Sequence, residues 1–349
     1  MNKTLLENPY FNDILHQPEA VSDTALFFEK MDFSGFRSYA QALAAGKYKR
    51  VVLTGMGSSF HALNPLYLRL IAQDIPVVMV ETSELIHYAP RLLSPEALVV
   101  AVSQSGRSVE ILQMLDLLPK QASLISLTNT ADSPLARQSE AVLLTQAGVE
   151  YNVSCKTYVA ALAALAVLGD LLLGQSPVGT LNACKQTAAL MTGYLSHWED
   201  FIDHLVFEMA GVKHLILAGR GSSLAAVGTG GLIIKESAHF HSEGMSCAAF
   251  RHGPFEMLSP EMFVMVYQGG APTRQYNANL VRDIQQAGGR AELVVCGEAK
   301  NVFTLPDASE STLPLLEILP AQLFSIALAV LNRHTPGQFE RGSKVTEIA

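Results

Sequence analysis

Val51-Val52-Leu53-Thr54-Gly55-Met56-Gly57-Ser58-Ser59 decides the reading of this chain, because Leu215-Ile216-Leu217-Ala218-Gly219-Arg220-Gly221-Ser222-Ser223 repeats it in the second half. Each copy is an apolar run of strand length, then a glycine turn, then small hydroxyl residues suited to the start of a helix. Backbone N–H groups and serine hydroxyls point outward from such a turn, which makes it a place for an anion, most simply a phosphate. The repetition predicts a chain built from two similar halves.

Working outward, further apolar runs of strand length lie at 76–80, 98–102, 124–127 and 141–144 in the first half and at 262–267 and 293–296 in the second. Segments of helical length and amphipathic pattern separate them. The runs are apolar throughout rather than alternating, as a parallel sheet covered by helices on both faces requires. The expected fold class is therefore α/β, each half a doubly wound sandwich. Residues 1–45 read as helical and peripheral, 158–173 as a core helix, and 181–209 as one long helix carrying the crossover. The expected organisation is an N-terminal helical segment at 1–45, a first domain at 46–194 and a second domain at 195–349.

Composition narrows the function. With 349 residues, 49% hydrophobic and 16% charged, the chain can bury two cores. A net charge of −8 leaves no basic footprint for nucleic acid. Cys155, Cys184, Cys247 and Cys296 have no metal-binding spacing and are too few for a disulfide scaffold, so they read as free thiols in a reducing cytoplasm. The first nine residues lack the apolar stretch of a signal peptide, and Gly169 and Asp170 interrupt the 158–173 run, so no membrane partner is expected.

The first half holds a second loop of the same kind. Residues 98–102 run into Ser103-Gln104-Ser105-Gly106-Arg107-Ser108, and 109–118 then read as a helix. Ligands of open parallel sheets bind beyond the carboxyl ends of the strands, so Ser58, Ser59, Ser103, Gln104, Ser105 and Ser108 are candidates to converge on one phosphate. The second half continues 262–267 with Gln268-Gly269-Gly270-Ala271-Pro272, without hydroxyls, which assigns the phosphate to the first half. Two other readings compete. Serines at helix starts serve as N-caps, and Gly55-x-Gly57 followed by Glu81 suggests a dinucleotide fold. The latter is disfavoured because Phe60 and Leu224 stand where a third glycine is needed.

Acid–base candidates lie in the second half. The segment Gly230-Gly231-Leu232-Ile233-Ile234-Lys235-Glu236-Ser237-Ala238-His239-Phe240-His241 is apolar enough to bury Glu236 and raise its pKa toward neutrality, as a proton shuttle requires. His252, in Phe250-Arg251-His252-Gly253-Pro254, titrates near neutrality without help. The plainer alternatives are a surface pair of Glu236 with Lys235 or an arginine, and a turn in which His252 meets a backbone carbonyl. His239, His241 and Glu243 have the spacing of one strand face rather than of a metal motif, so no metal is expected. Lys344, in Arg341-Gly342-Ser343-Lys344-Val345-Thr346, is either a solvated tail lysine or an amine folded over the site to hold an open-chain sugar.

Taken together, Gly55-Met56-Gly57-Ser58-Ser59, Ser103-Gln104-Ser105-Gly106-Arg107-Ser108, Glu236, the run 250–254 and Ser343-Lys344-Val345-Thr346 resemble the sugar isomerase (SIS) double-domain proteins, most closely the isomerase half of glucosamine-6-phosphate synthase. The resemblance implies two tandem flavodoxin-like SIS domains, a homodimer with sites shared between subunits, a sugar phosphate ligand and no cofactor. It implies that Ser58, Ser59, Ser103, Gln104, Ser105 and Ser108 contact the phosphate and sugar, with Val153 and Ser154 in a further sugar-contacting loop. By the same resemblance Glu236 moves a proton between the first two sugar carbons, His252 opens the ring in the neighbouring subunit's site, and Lys344 lies over the open-chain sugar. Three departures stand out: a glutaminase domain with its initial cysteine is not expected, Ile233 stands where the synthase has a second lysine, and the loop after Glu150 is one residue shorter. The expected reaction is glucosamine 6-phosphate to fructose 6-phosphate plus ammonia. The alternatives are a 6-phosphofructosamine deglycase and a non-catalytic phosphosugar sensor.

Overall fold

The computed structural model describes residues 2–298 and 301–344. Strands β1 (Arg50–Gly55), β2 (Val77–Glu81), β3 (Ala97–Val102), β4 (Ser123–Thr128) and β5 (Ala141–Leu144) form one parallel sheet in the order β2-β1-β3-β4-β5. Strands β6 (His214–Gly219), β7 (Ser242–Ser246), β8 (Met262–Tyr267), β9 (Arg290–Cys296) and β10 (Thr304–Leu305) form a second parallel sheet, β10-β9-β8-β6-β7. Both orders are the flavodoxin-like doubly wound pattern read from opposite ends. The α/β expectation holds, and every strand-length run of the sequence became a strand.

Burial explains why those runs are apolar on both faces. All six residues of β3 and all six of β8 are buried, as are five of six in β1 and β6. Each such Val, Leu or Ile side chain contributes about 1.5–3 kcal/mol relative to exposure. The sheets lie in separate compact units. The β1–β5 unit comprises Glu19–Val149 and Lys156–Gln186 together with residues 342–344; the β6–β10 unit comprises residues 2–18, Glu150–Cys155 and the described part of Thr187–Arg341.

Two sequence expectations fail in detail. The N-terminal segment is helical, at Asn2–Leu6, Pro9–Leu15, Gln17–Glu29 and Phe36–Ala44, but it is not peripheral, since Tyr10, Phe11 and Ile14 are fully buried. The reason is a set of long-range anchors. The Tyr10 hydroxyl meets Ser325 Oγ at 3.0 Å, Gln17 exchanges amide hydrogen bonds with Gln322 at 2.8 Å, and Phe11 packs edge-on against Trp198 with ring centroids 4.8 Å apart. The expected long helix at 181–209 is two helices, Val178–Leu195 and Trp198–Glu208. At the break the Ser196 hydroxyl donates to the Gly193 carbonyl at 2.7 Å, the local competition with helical bonding that serine favours.

The core helix expected at 158–173 spans Lys156–Leu172 and is almost wholly buried. A second apolar helix, Leu313–Leu331, is long and apolar enough to cross a membrane by length and composition. Its apolar window is 89% buried inside the protein, as in a core helix.

Candidate functional site

In the β1–β5 unit, Gly55 pairs with Val102, so β1 and β3 end level and their loops leave the sheet side by side. This is where the strand order reverses, the crevice in which doubly wound sheets hold ligands. Gly57 and Gly106 have φ of 53° and 60°, which L side chains adopt only under strain, and a Cβ on Gly106 would lie 2.3 Å from Ser133 Oγ. The second loop is firmly tied. Ser103 Oγ accepts from the Gly106 N–H at 3.1 Å and Ser105 Oγ from the Arg107 N–H at 3.3 Å. The Gln104 carbonyl accepts from the Asn129 N–H at 3.0 Å and the Thr128 hydroxyl at 3.1 Å.

The capping alternative does not describe Ser58, Ser59 or Ser108. Ser108 is the N-cap of helix Val109–Leu117, yet its side chain makes no capping bond; Met56 is the N-cap of Gly57–His61, which leaves Ser58 and Ser59 within its first turn. Ser133 and Ser246, by contrast, do cap, accepting from the N–H groups of Ala136 at 3.2 Å and Ala249 at 3.0 Å. Among the described residues, the hydroxyls of Ser58, Ser59 and Ser108 have no hydrogen-bond partner. Ser103 is buried, and Ser58, Ser59, Gln104, Ser105 and Ser108 are half-buried. The crevice thus presents uncommitted neutral donors, the equipment for a phosphate. Lys344 is half-buried and groups with this same unit; Val345 and Thr346 lie outside the described residues.

In the corresponding crevice of the β6–β10 unit, Ser223, Arg220 and Asn277 are bonded internally. Ser223, fully buried, donates to Glu317 Oε1 at 2.7 Å. Arg220 Nε donates to Asn277 Oδ1 at 3.0 Å, and the Asn277 amide donates to the carbonyls of Tyr267 at 3.0 Å and Gln268 at 3.1 Å. Burial pushes the Glu317 carboxyl up to about 7, against the opposing effect of the Ser223 hydrogen bond. Sequence reasoning missed Glu317. Its signal is a lone carboxylate inside the apolar run of Leu313–Leu331.

Glu236 lies in the last turn of helix Leu224–Ala238 and is half-buried rather than fully buried. Paired glycines bring this helix close to β7: a Cβ on Gly231 would sit 2.7 Å from the Gly244 nitrogen, and one on Gly244 would sit 2.2 Å from the Val227 carbonyl oxygen. Tyr10 marks the surroundings. Its phenol is held above the ordinary tyrosine range by burial first, then by Cys155, with Glu236 adding to the effect. The loop holding Val153 and Ser154 is fixed within the same unit. Glu150 Oε1 accepts from the Cys155 N–H at 2.9 Å, Asp13 Oδ2 from the Tyr151 N–H at 2.6 Å, and the Gly337 carbonyl from Asn152 Nδ2 at 3.2 Å. Val153 is fully buried and Ser154 half-buried. His252 follows the short helix Cys247–Arg251 and is exposed, its backbone N–H bonded to the Ala249 carbonyl at 3.0 Å. The structure therefore gathers Ser58, Ser59, Ser103, Gln104, Ser105 and Ser108 at the carboxyl ends of β1 and β3 in the β1–β5 unit, and places Glu236, His252, Val153 and Ser154 in the β6–β10 unit.

Residues 46–169 match the SIS domain family. The chain is 28% identical over 344 residues to glutamine–fructose-6-phosphate aminotransferase [isomerizing] of Pyrococcus horikoshii, covering 95% of this chain and 56% of that protein. It spans about half the length of the curated relatives it matches. Among solved structures it shares the fold of a tagatose-6-phosphate ketose/aldose isomerase of Escherichia coli, with a TM-score of 0.81 at 18% identity over 95% of this chain and 96% of that one. It likewise shares the fold of a glucosamine-6-phosphate deaminase of Thermotoga maritima, with a TM-score of 0.75 at 18% identity over 97% and 100% of the two chains. With its flavodoxin-like sheets and its serine-lined crevice at the β1/β3 reversal, the chain carries an SIS domain at residues 46–169.

Proposed function

We propose that this protein is a sugar-phosphate isomerase/deaminase that converts glucosamine 6-phosphate and water to fructose 6-phosphate and ammonia. The observation that carries the reading is the crevice at the ends of β1 and β3, where Ser58, Ser59 and Ser108 keep free hydroxyls beside the fixed loop of Ser103, Gln104 and Ser105. Neutral donors there hold the 6-phosphate without the high charge density of a lysine cluster. His252 opens the sugar ring and Lys344 holds the open-chain form. Glu236 takes the proton from C2 and returns one to C1, so that the double bond passes through an enolamine to an imine at C2. Water then adds to C2 and ammonia leaves, which yields the ketose. No cofactor enters this sequence, since every step is a proton transfer or a hydration. In this reading the 46–194 segment binds the phosphosugar, 195–349 supplies the proton-transfer groups and tail, and the working form is a cytoplasmic homodimer.

A second reading rests on Ile233, which is fully buried one helical turn before Glu236 where the synthase carries a lysine. A substrate whose amine carries an amino acid needs no second lysine there, so the alternative is a 6-phosphofructosamine deglycase. The test is ammonia release and fructose 6-phosphate formation from glucosamine 6-phosphate, with Glu236→Gln as control. The variant should keep phosphosugar affinity and lose about 10²- to 10⁴-fold in turnover, the share that general acid–base catalysis commonly supplies. Turnover of fructosamine 6-phosphates instead would establish the deglycase. Binding without turnover of either substrate class would reduce the protein to a phosphosugar sensor.

A further inference from the structure

The histidines near the end of the Glu236 helix do not group as their spacing suggests. His241 turns to His214, with Nδ1 atoms 3.2 Å apart, and to Glu243 at 3.8 Å. His239 instead joins two residues almost a hundred positions away in sequence. Its Nδ1 lies 3.7 Å from Glu340 Oε1, and its ring stands 4.9 Å, centroid to centroid, from that of His334. One ligand atom from each of His239, His334 and Glu340 lies within 4.8 Å of the others. We propose that these three side chains form a divalent transition-metal site, occupied by Zn²⁺, that clips the 334–340 segment to the end of the Glu236 helix.

The donor set is two imidazoles and one carboxylate, which suits Zn²⁺ with an open fourth position for water. Tetrahedral bonds of about 2.0–2.1 Å place ligand atoms about 3.3 Å apart, so exposed side chains need move by only about 1 Å each to close on the ion. The backbone on both sides is already held. His239 follows the helix with φ of 49°, and Arg333, just before His334, has φ of 58°; both are left-handed values that strain a non-glycine residue. Strain of this kind persists where the surroundings fix it. Gly337 N–H donates to the Ser237 carbonyl at 3.2 Å, and Asn8 Nδ2 donates to the Pro336 carbonyl at 3.1 Å, so the segment is tied to the helix end between its two prospective ligands. The competing cation is the exposed Arg341, whose Nη2 lies 3.9 Å from Glu340 Oε2. All three ligands belong to the β6–β10 unit, and the site stands independently of the sugar-phosphate reading.

The test is calorimetric titration of the whole chain, stripped with a chelator, using Zn²⁺ alone. The expected result is one strongly bound Zn²⁺ per chain and a higher melting temperature in its presence. His239→Asn keeps a residue that tolerates the left-handed conformation while removing the imidazole, and His334→Gln removes the second. Each should weaken uptake at least about tenfold, since even groups that only orient a ligand cost 10- to 100-fold. His241→Gln should leave it unchanged. Absence of uptake, uptake indifferent to both His239→Asn and His334→Gln, or loss of uptake in His241→Gln would overturn the proposal. Trp198 fluorescence, checked on each variant, separates loss of the site from loss of the fold.

Discussion

Replacing Glu317 by glutamine should stabilise the β6–β10 unit at pH 8 and leave it nearly unchanged at pH 5. The carboxyl stands at about 7 in the folded chain against an ordinary value of 4.5, because burial disfavours its charge. Between those values the folded chain retains a proton that the unfolded chain has released. Its contribution is therefore whole below pH 4.5, falls as pH rises through the window, and is fully lost above about pH 7. At about 1.4 kcal/mol per pH unit the gap amounts to about 3 kcal/mol. Glutamine copies the protonated form, with an oxygen for the Ser223 hydroxyl and a donor where Glu317 Oε2 already lacks a partner, so it should escape the loss. Urea unfolding followed by Trp198 is the assay, since Trp198 is the only tryptophan and belongs to the same unit as Glu317. The advantage of the variant should grow by about 2.5 kcal/mol from pH 5 to pH 8. An equal advantage at both pH values would refute the buried, proton-holding carboxyl.

Ser105→Ala should weaken phosphosugar binding about 5- to 10-fold, one hydrogen bond's worth, in titrations with glucosamine 6-phosphate; unchanged binding would remove Ser105 from the phosphate contacts. Gly106→Ala should do more damage, because it combines a φ of 60° with a Cβ 2.3 Å from Ser133 Oγ, and loss of about 1–3 kcal/mol in thermal stability should accompany lost binding. Gly231→Ala should destabilise by about 1–3 kcal/mol through overpacking against the Gly244 nitrogen. It should also lower turnover, since the helix it displaces carries Glu236.

The sheets were legible through their inner strands β1, β3, β4, β6 and β8, which are buried on both faces and leave Val, Leu and Ile no alternation to hide. β7 was not, because Ser242, Glu243, Gly244, Met245 and Ser246 form an edge strand with two exposed positions, and its composition reads as a loop. β10 is two residues long and offers no periodicity. The crevice serines were visible as a motif, but whether their hydroxyls cap helices depends on hydrogen-bond geometry that spacing does not encode. Glu317 and Ser223 were invisible as a pair, because the chain brings them together through tertiary packing alone. The buried N-terminus had a signal that went unused: Tyr10, Phe11 and Ile14 share one helical face.

That N-terminal face sets a constraint on the order in which the chain can assemble. Tyr10, Gln17 and Asn8 find their partners at Ser325, Gln322 and Pro336, which lie 315, 305 and 328 residues further along the chain. At ribosomal speeds of about 5–20 residues per second, the apolar helix emerges and then waits on the order of tens of seconds for the strands and helix that cover it. During synthesis this apolar surface thus stays unshielded until segments made much later arrive, which gives chaperones a defined target. It also means that a fragment cut at the midpoint would lose a wall of its own core: residues 195–349 expressed alone would leave bare the apolar surface that Phe11 covers on Trp198.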